Sequence, residues 1–469
     1  MYTFIISLIL LVVGYVVYGT VVEKVFGIEP KRQTPSYAKA DGVDYIPMSA
    51  WRVFLIQFLN IAGTGPIFGA IMGILFGPAA YLWIVLGCIF AGAVHDYLCG
   101  MISLRKGGVS LPEIVGDELG NGMRQVIRVF SIILLVLVGA VFVTTPADLL
   151  DKMTADVEWT SHLFWIIAIL LYFLLATLLP IDKLIGRVYP LFGLALLIMA
   201  FGVGIGIFTH PGWMPEITDS LGGNHPKGLP VFPMLCITIA CGAISGFHGT
   251  QSPLMSRCLE NERHGRSIFY GAMITEGIVA LIWAAASIKF AGTYKALGEL
   301  GTPAVVVSEI CTSWLGTLGA ILAVLGVVAA PITSGDTAFR SARLIAADIL
   351  HSDQHKISNR LLLSIPLFVI AVLLIFLIGF DELWRYFAWS NQTLATVTLW
   401  ASAAWLARRG KCYWIALVPA LFMTVVCTCY ILVAPEGFGL TWWIGMTAGI
   451  VAMLATGGLF ARWQIHKKD

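Results

Sequence analysis

Two stretches of this chain combine residues that free backbone groups with residues that bind or move ions. The first reads Asn60-Ile61-Ala62-Gly63-Thr64-Gly65-Pro66. The second reads Gly242-Ala243-Ile244-Ser245-Gly246-Phe247-His248-Gly249-Thr250-Gln251-Ser252-Pro253. In a helix interior Gly costs about 1 kcal/mol and Pro about 3 kcal/mol relative to Ala. Pro also removes a donor and clashes with the preceding turn. Helices carrying these motifs are expected to unwind at them. N–H groups at a half-helix start suit an anion such as a carboxylate, and exposed carbonyls suit Na⁺. Nearby apolar runs hold isolated ionisable residues: Glu276 in Ala272-Met273-Ile274-Thr275-Glu276-Gly277, and the pair His95-Asp96. An ionisable group at mid-bilayer costs about 2.5–3.5 kcal/mol on insertion scales, so each is a candidate for function. Glu276 is a candidate for proton coupling; the alternative is a structural hydrogen bond to an unwound backbone.

Adjacent helical residues point about 100° apart, so His95 and Asp96 are expected to find partners on other helices and not each other. His248 is a candidate neighbour for either. His95, Asp96 and His248 could form a metal site, although no second ligand stands at i, i+4 spacing. A buried His–carboxylate hydrogen bond is the competing reading. Further on, Pro331-Ile332-Thr333-Ser334-Gly335-Asp336-Thr337 ends an apolar run. Thr333 and Thr337 share a face, and hydroxyls there with carbonyls near Ala62 and Gly63 could cage Na⁺. Alternatively this is a helix terminus, with Asp336 entering an amphipathic helix. That helix would carry Phe339, Ala342, Ala346 and Ile349 on its stripe and Arg340 and Arg343 off it. Asn391 and Gln392 read either as interhelical packing bonds or as substrate contacts. The run from Glu260 to Arg266 reads as a solvated loop. Ser110 is expected to cap a helix that has Pro112 in its first turn.

The elements that position these residues are membrane spans. Of the 469 residues 58% are hydrophobic and 12% charged, and mean hydropathy is +0.86. Soluble domains run near a quarter charged, so lipid is the fitting solvent. A net charge of +2 and the absence of a Walker-type loop exclude nucleic-acid binding and P-loop chemistry, and Gly63-Thr64-Gly65-Pro66 lies in an apolar span, where a dinucleotide fingerprint does not belong. The nine Cys lack metal-ribbon or disulfide spacing and read as packing residues. A ruler of about 19 residues gives thirteen spans: 2–22, 51–76, 79–103, 124–146, 162–180, 187–208, 230–252, 266–290, 312–335, 359–379, 383–407, 412–433 and 440–463. The first lacks a basic leader and a cleavage site, and is expected to be retained. With the N-terminus outside and the C-terminus cytoplasmic, only Lys152, Lys227, Lys289, Lys295 and Arg385 of the 29 Lys and Arg fall outside. That segregation obeys the positive-inside rule.

The two interrupted spans are five apart, so they have opposite topology. Matched interruptions in two inverted five-helix units point to a carrier with alternating access. The expected organisation is residues 1–50 as an extra helix and cytoplasmic loop, 51–208 as the first repeat, 230–407 as the inverted second, and 412–469 as two C-terminal helices and a tail. Several stretches also resemble the carbon starvation protein (CstA-like) family: Asp41-Gly42-Val43-Asp44-Tyr45-Ile46-Pro47, Ile61-Ala62-Gly63-Thr64-Gly65-Pro66-Ile67, Leu82-Trp83-Ile84-Val85-Leu86-Gly87, Gly92-Ala93-Val94-His95-Asp96, Ile244-Ser245-Gly246-Phe247-His248, and Asn391-Gln392 with Leu394-Ala395. The resemblance implies a leucine-transporter-like all-α core shifted by one N-terminal helix. It also implies uptake of peptides or pyruvate across the inner membrane.

The combined expectation is a non-enzymatic importer of a peptide, amino acid or pyruvate that needs no cofactor and is coupled to H⁺ or Na⁺. Gly63, Thr64 and Gly65 form one wall of the substrate site, and Ser245, Gly246, Phe247, His248 and Thr250 the other. Glu276, His95, Asp96, Ala62, Thr333 and Ser334 serve the coupling ion. An intramembrane metal protein, enzyme or sensor built on His95, Asp96 and His248 is the alternative. Oligomeric state is left open.

Overall fold

The computed structural model describes residues 1–42, 45–178, 181–352 and 356–465, apart from the side chains of 153, 177–178, 181–190, 327, 381 and 465. Val43 and Asp44 of the family-like motif, the Lys183 and Arg187 side chains, and Lys467 and Lys468 lie outside this set. Apolar composition and helical periodicity yield an all-helical chain. Among the described residues the β structure is one isolated parallel bridge, between Met48 and Leu259.

Helices α1 (Tyr2–Val16) and α2 (Tyr18–Phe26) make one apolar rod, and α3 (Pro35–Ala38) is a single turn. Helices α4 (Ala50–Ile61) and α5 (Gly65–Gly73) are halves of a span bent by 47°. Helix α6 (Ala79–Gly87) passes through a π-helical turn, Cys88–Gly92, into α7 (Ala93–Arg105). Then come α8 (Leu111–Leu119), α9 (Asn121–Met153), α10 (His162–Leu178) and α11 (Ile181–Thr209). Helices α12 (Val231–Thr238) and α13 (Gly246–Ser256) flank irregular backbone, and α14 (Gly271–Ala291) and α15 (Tyr294–Glu299) follow. The chain ends with α16 (Pro303–Val324), α17 (Ala330–Leu350), α18 (Ile357–Leu377), α19 (Phe380–Arg408), α20 (Trp414–Val433) and α21 (Trp442–Ile465). Among the described residues nine helices are long and apolar enough to cross a membrane, or ten with the bent pair. Large apolar side chains such as Phe201, Leu362, Leu377 and Leu459 stand exposed on the outside, as a lipid-facing surface requires.

Three local expectations are corrected. The ninth span does not run over 312–335. Gly316, at φ 61°, breaks α16, and helical structure then continues through a π-helical turn into α17 as far as Leu350. Phe339 and Ala342 are buried as expected, but so are Arg340 and Arg343. Arg340 Nη2 donates to the Ala176 carbonyl at 2.6 Å and lies 3.8 Å from Asp336. A long cation can be buried where a carbonyl and a carboxylate receive it. Second, Ser110 does occupy the N-cap of α8 with Pro112 in the first turn, but its side chain makes no capping bond. Third, the run from Glu260 to Arg266 is not simply a solvated loop. Glu262 is fully buried. Its carboxylate takes Nε and Nη2 of Arg105 at 3.1 and 3.0 Å and the Glu29 N–H at 2.7 Å.

That carboxylate anchors a strap, residues 27–42 and 45–49, which lies over one face of the protein. Ser36 Oγ donates to the Leu259 carbonyl, Met48 N–H to that of Cys258, Lys39 Nζ to that of Gly107, and Asn261 Nδ2 to that of Pro30. The strap therefore ties the start of α4 to the ends of α7 and α13. It follows that α4 enters from the strap face and α13 returns to it.

Candidate functional site at two meeting helix breaks

Both interruptions are present, and they touch. At the first, α4 ends at Ile61 and α5 begins at Gly65. At the second, α12 ends at Thr238 and α13 begins at Gly246, with Ser245 in extended backbone. Gly and Pro placed these ends, since neither supports a continuous hydrogen-bond ladder. The contact is close. A Cβ on Gly65 would sit 2.5 Å from Cys241 Sγ and 2.7 Å from its Cβ. Lower down, Gln57 Nε2 of α4 donates to Ser252 Oγ of α13 at 3.1 Å.

A chain of ionisable side chains runs beside the second break. Asp96 lies at its centre, fully buried on α7. One carboxylate oxygen meets His95 Nδ1 at 2.8 Å and the other meets His248 Nδ1 at 2.9 Å. The expectation that neighbours His95 and Asp96 would not pair is thus wrong. Nδ1 lies close to its own backbone, and the two oxygens of one carboxylate can face different directions, so a 100° separation is bridged. The far nitrogen of His248, Nε2, lies 3.4 Å from Glu276 Oε2. The other oxygen of Glu276 accepts the Gly242 N–H of the unwound stretch at 3.1 Å. Asp96, His248 and Glu276 are all fully buried, and together they link α7, α13 and α14.

Asn391 of α19 closes the second break from another side. Its Oδ1 accepts the Phe247 N–H at 2.6 Å and the Ser245 hydroxyl at 3.1 Å, and its Nδ2 donates to Ser245 Oγ at 2.9 Å. Gln392 Nε2 donates to the Cys236 carbonyl at 3.0 Å. Thr250 Oγ1 donates to the Phe247 carbonyl at 2.7 Å. Gly63 lies against α17: a Cβ there would be 3.1 Å from Ser334 Oγ, a buried hydroxyl with no hydrogen-bond partner. Thr333 Oγ1 donates to the Ala330 carbonyl at 2.7 Å. Thr64 Oγ1 and Asn60 Oδ1, at the first break, are buried and unpartnered as well.

His95, Asp96 and His248 meet through Asp96 and do not converge as ligands around a point. The ligand atoms that do converge are on Cys241, His248 and Glu276, all within 4.8 Å of one another. Sequence reasoning treated Cys241 as packing and left Gln57 unmentioned. Their spacing gives no signal, because their neighbours come from distant segments. A cavity of about 950 Å³ lies beyond α5 and α12, bordered by Ile71, Met72 and Thr238 and by the loops near residues 224–229 and 293–303. None of the eight expected wall residues lines it.

The family model described as carbon starvation protein CstA matches residues 1–164, 149–314 and 286–430. This chain belongs to the CstA family. A membrane protein of Haemophilus influenzae is 45% identical over 64% of this chain and 94% of its own length. A peptide transporter CstA of Campylobacter jejuni is 27% identical over 88% and 77%. A pyruvate/proton symporter, BtsT, of Escherichia coli is 29% identical over 59% of this CstA-family chain and 47% of its own length. Among solved structures, a manganese transporter of Eremococcus coleocola superposes with TM-score 0.59 at 12% identity, covering 88% of this chain and 93% of that one. The nucleobase-cation symporter Mhp1 gives TM-score 0.56 at 13% identity over 89% and 93%. At such identities the likeness is one of fold.

Proposed function

We propose that this CstA-family chain is a secondary active importer of a small carboxylate-bearing nutrient (a peptide, amino acid or pyruvate), driven by protons and working by alternating access, and that it acts without enzymatic chemistry or a cofactor. The observation that carries the reading is the meeting of two interrupted helices beside the buried chain Asp96–His248–Glu276. Interrupted helices leave polar backbone at mid-bilayer, which a cargo can use. Buried acids and a histidine in series are the usual material of a proton relay. Opposite travel of α4 and α13 relative to the strap face supports two inverted five-helix units among thirteen spans. The segregation of Lys and Arg supports the strap face as cytoplasmic, the N-terminus as external and the inner membrane as the location. The names of the relatives support peptide or pyruvate as cargo.

Uptake into proteoliposomes under an imposed pH gradient tests the coupling. Glu276→Gln should abolish accumulation above equilibrium while leaving exchange; full proton-driven accumulation by this variant would refute the assignment. A thermal-shift screen with peptides, amino acids and monocarboxylates tests the cargo, because a ligand of the native state raises apparent stability. A second reading, sodium coupling through Ser334, Thr333 and the carbonyls of Ala62 and Gly63, is favoured by the unpartnered Ser334 hydroxyl against Gly63. Uptake unaffected when choline replaces Na⁺ removes it.

A further inference from the structure

The unwound stretch of the second break does more than expose backbone: it folds three metal-ligating side chains together. Cys241 and His248 are seven positions apart. On an unbroken helix that spacing is a rise of about 10 Å. Here Cys241 stands between the end of α12 and the start of α13. Cys241, His248 and Glu276 of α14 bring their ligand atoms within 4.8 Å of one another. All three residues are buried, His248 and Glu276 completely.

Two of the three are oriented from behind. Asp96 Oδ2 meets His248 Nδ1 at 2.9 Å, which leaves Nε2 to face inwards. A carboxylate behind the far ring nitrogen is the arrangement that orients histidine ligands at metal centres. The Gly242 N–H donates to Glu276 Oε1 at 3.1 Å, and Oε2 is left facing His248 Nε2 at 3.4 Å. Neither of these two inward atoms has a hydrogen bond, although both are buried. Buried polar atoms normally find partners. Cys241 Sγ has Ser245 Oγ and Asn391 Nδ2 beside it, each at 3.7 Å, and both can donate to a thiolate.

The spacing selects the ion. Zinc holds nitrogen and oxygen ligands at about 2.0–2.2 Å in a tetrahedron, whose edges are then about 3.3–3.5 Å. The 3.4 Å between His248 Nε2 and Glu276 Oε2 is such an edge. With Zn–S near 2.3 Å, sulfur stands about 3.5–3.7 Å from the other ligands, so Sγ has about 1 Å to close. One nitrogen, one oxygen and one sulfur suit zinc, whereas Mg²⁺ and Ca²⁺ take shells of oxygen.

We propose that Cys241, His248 and Glu276 form a three-ligand site for a borderline divalent ion of the zinc class, and that the bound ion blocks uptake by tying the second break to α14. On binding, bonds from zinc to the three side chains replace bonds from zinc to water. The Cys241 thiol, and Glu276 where it carries a proton, give their protons to solvent. The block rests on the carrier reading above; the binding does not.

The test uses the full, tag-free chain in nanodiscs and proteoliposomes. Zn²⁺ is supplied during expression and again after purification, because buried ligands load only when helices part. The unaltered protein should hold one Zn²⁺ per chain in excess Mg²⁺, and zinc should raise its unfolding midpoint. Co²⁺ in place of zinc should give a thiolate-to-cobalt charge-transfer band. Cys241→Ser changes one atom; it should lose that band and bind zinc about tenfold or more weakly. Its unfolding midpoint without metal checks that it folds. Cys412→Ser, at an exposed position, should match the unaltered chain. Saturating zinc should abolish proton-driven uptake of radiolabelled pyruvate or dialanine in the unaltered protein and not in Cys241→Ser. Lack of saturable zinc binding, lack of a thiolate band in the unaltered protein, or equal zinc affinity in Cys241→Ser overturns the site and leaves the carrier reading standing. Stoichiometric binding with no effect on uptake overturns the block alone. If the metal-free protein takes up neither probe, the carrier reading and the block fall, while the zinc isotherm still decides the site.

Discussion

Replacing Gly65 with alanine tests whether the two breaks really meet. The new Cβ would lie 2.5 Å from Cys241 Sγ and 2.7 Å from its Cβ. Favourable contact between such atoms begins near 3.5–4.0 Å, so the intrusion is about 1 Å. Rotation about the Cys241 side chain moves Sγ but not Cβ, so the 2.7 Å contact is relieved only if backbone shifts. Overpacking of this kind costs about 1–3 kcal/mol. Cys241→Gly alone should cost about 1–2 kcal/mol through a lost buried side chain and added chain freedom. In the double variant the collision is gone, so its loss of stability should fall short of the sum of the singles by about 1–3 kcal/mol, the size of coupling expected for touching residues. Reversible unfolding in mixed micelles measures the four corners of this cycle, and initial uptake rates should follow the same order. Additive losses would show that residues 65 and 241 are not in contact, and the juxtaposition of the breaks would have to be abandoned.

Three further outcomes are expected. Asp96→Asn removes the charge on which two histidines converge; breaking a buried pair costs about 3–5 kcal/mol, read as a lowered unfolding midpoint together with lost proton-driven uptake. Glu262→Gln loses the fork from Arg105, so limited trypsin digestion should cut within residues 27–49 faster than in the unaltered protein. Ser334→Ala should leave uptake unchanged under proton coupling and remove any Na⁺ stimulation under the sodium reading.

Much of this architecture was legible because lipid narrows the choices. A long apolar run must be a helix, and Gly63-Thr64-Gly65-Pro66 and Gly242 to Pro253 are poor helix interiors wherever they stand. The breaks therefore appear where they were expected. The extent of α17 was misread because Asp336, Arg340 and Arg343 look like residues of a helix end in water. Their receivers, such as the Ala176 carbonyl, belong to a helix more than a hundred residues earlier in the chain. Glu262 was misread for the same reason: its partner Arg105 is 157 positions away. The pairing of His95 with Asp96 failed through an over-strict use of helical geometry, which constrains Cβ directions and not the reach of the atoms beyond them. Asn391 was visible as a polar residue in an apolar span, but its service to the Phe247 N–H depends on a break in another helix.

Packing at the centre and space beside it bear on the same mechanism. The residues at the breaks are almost completely buried, so a cargo reaches the polar backbone there only if helices move. The open volume borders the face opposite the strap, where α5 and α12 meet the loops, while the strap ties α4, α7 and α13 together on the other side. One side is thus tied by the strap, while open volume borders the other. On the carrier reading proposed above, protonation along Glu276, His248 and Asp96 changes which contacts hold α13 and α14 against α7. On that same reading, release to the strap face requires the Arg105–Glu262 contact to part. Locking that contact with a pair of cysteines should then stop uptake, and its reduction should restore it.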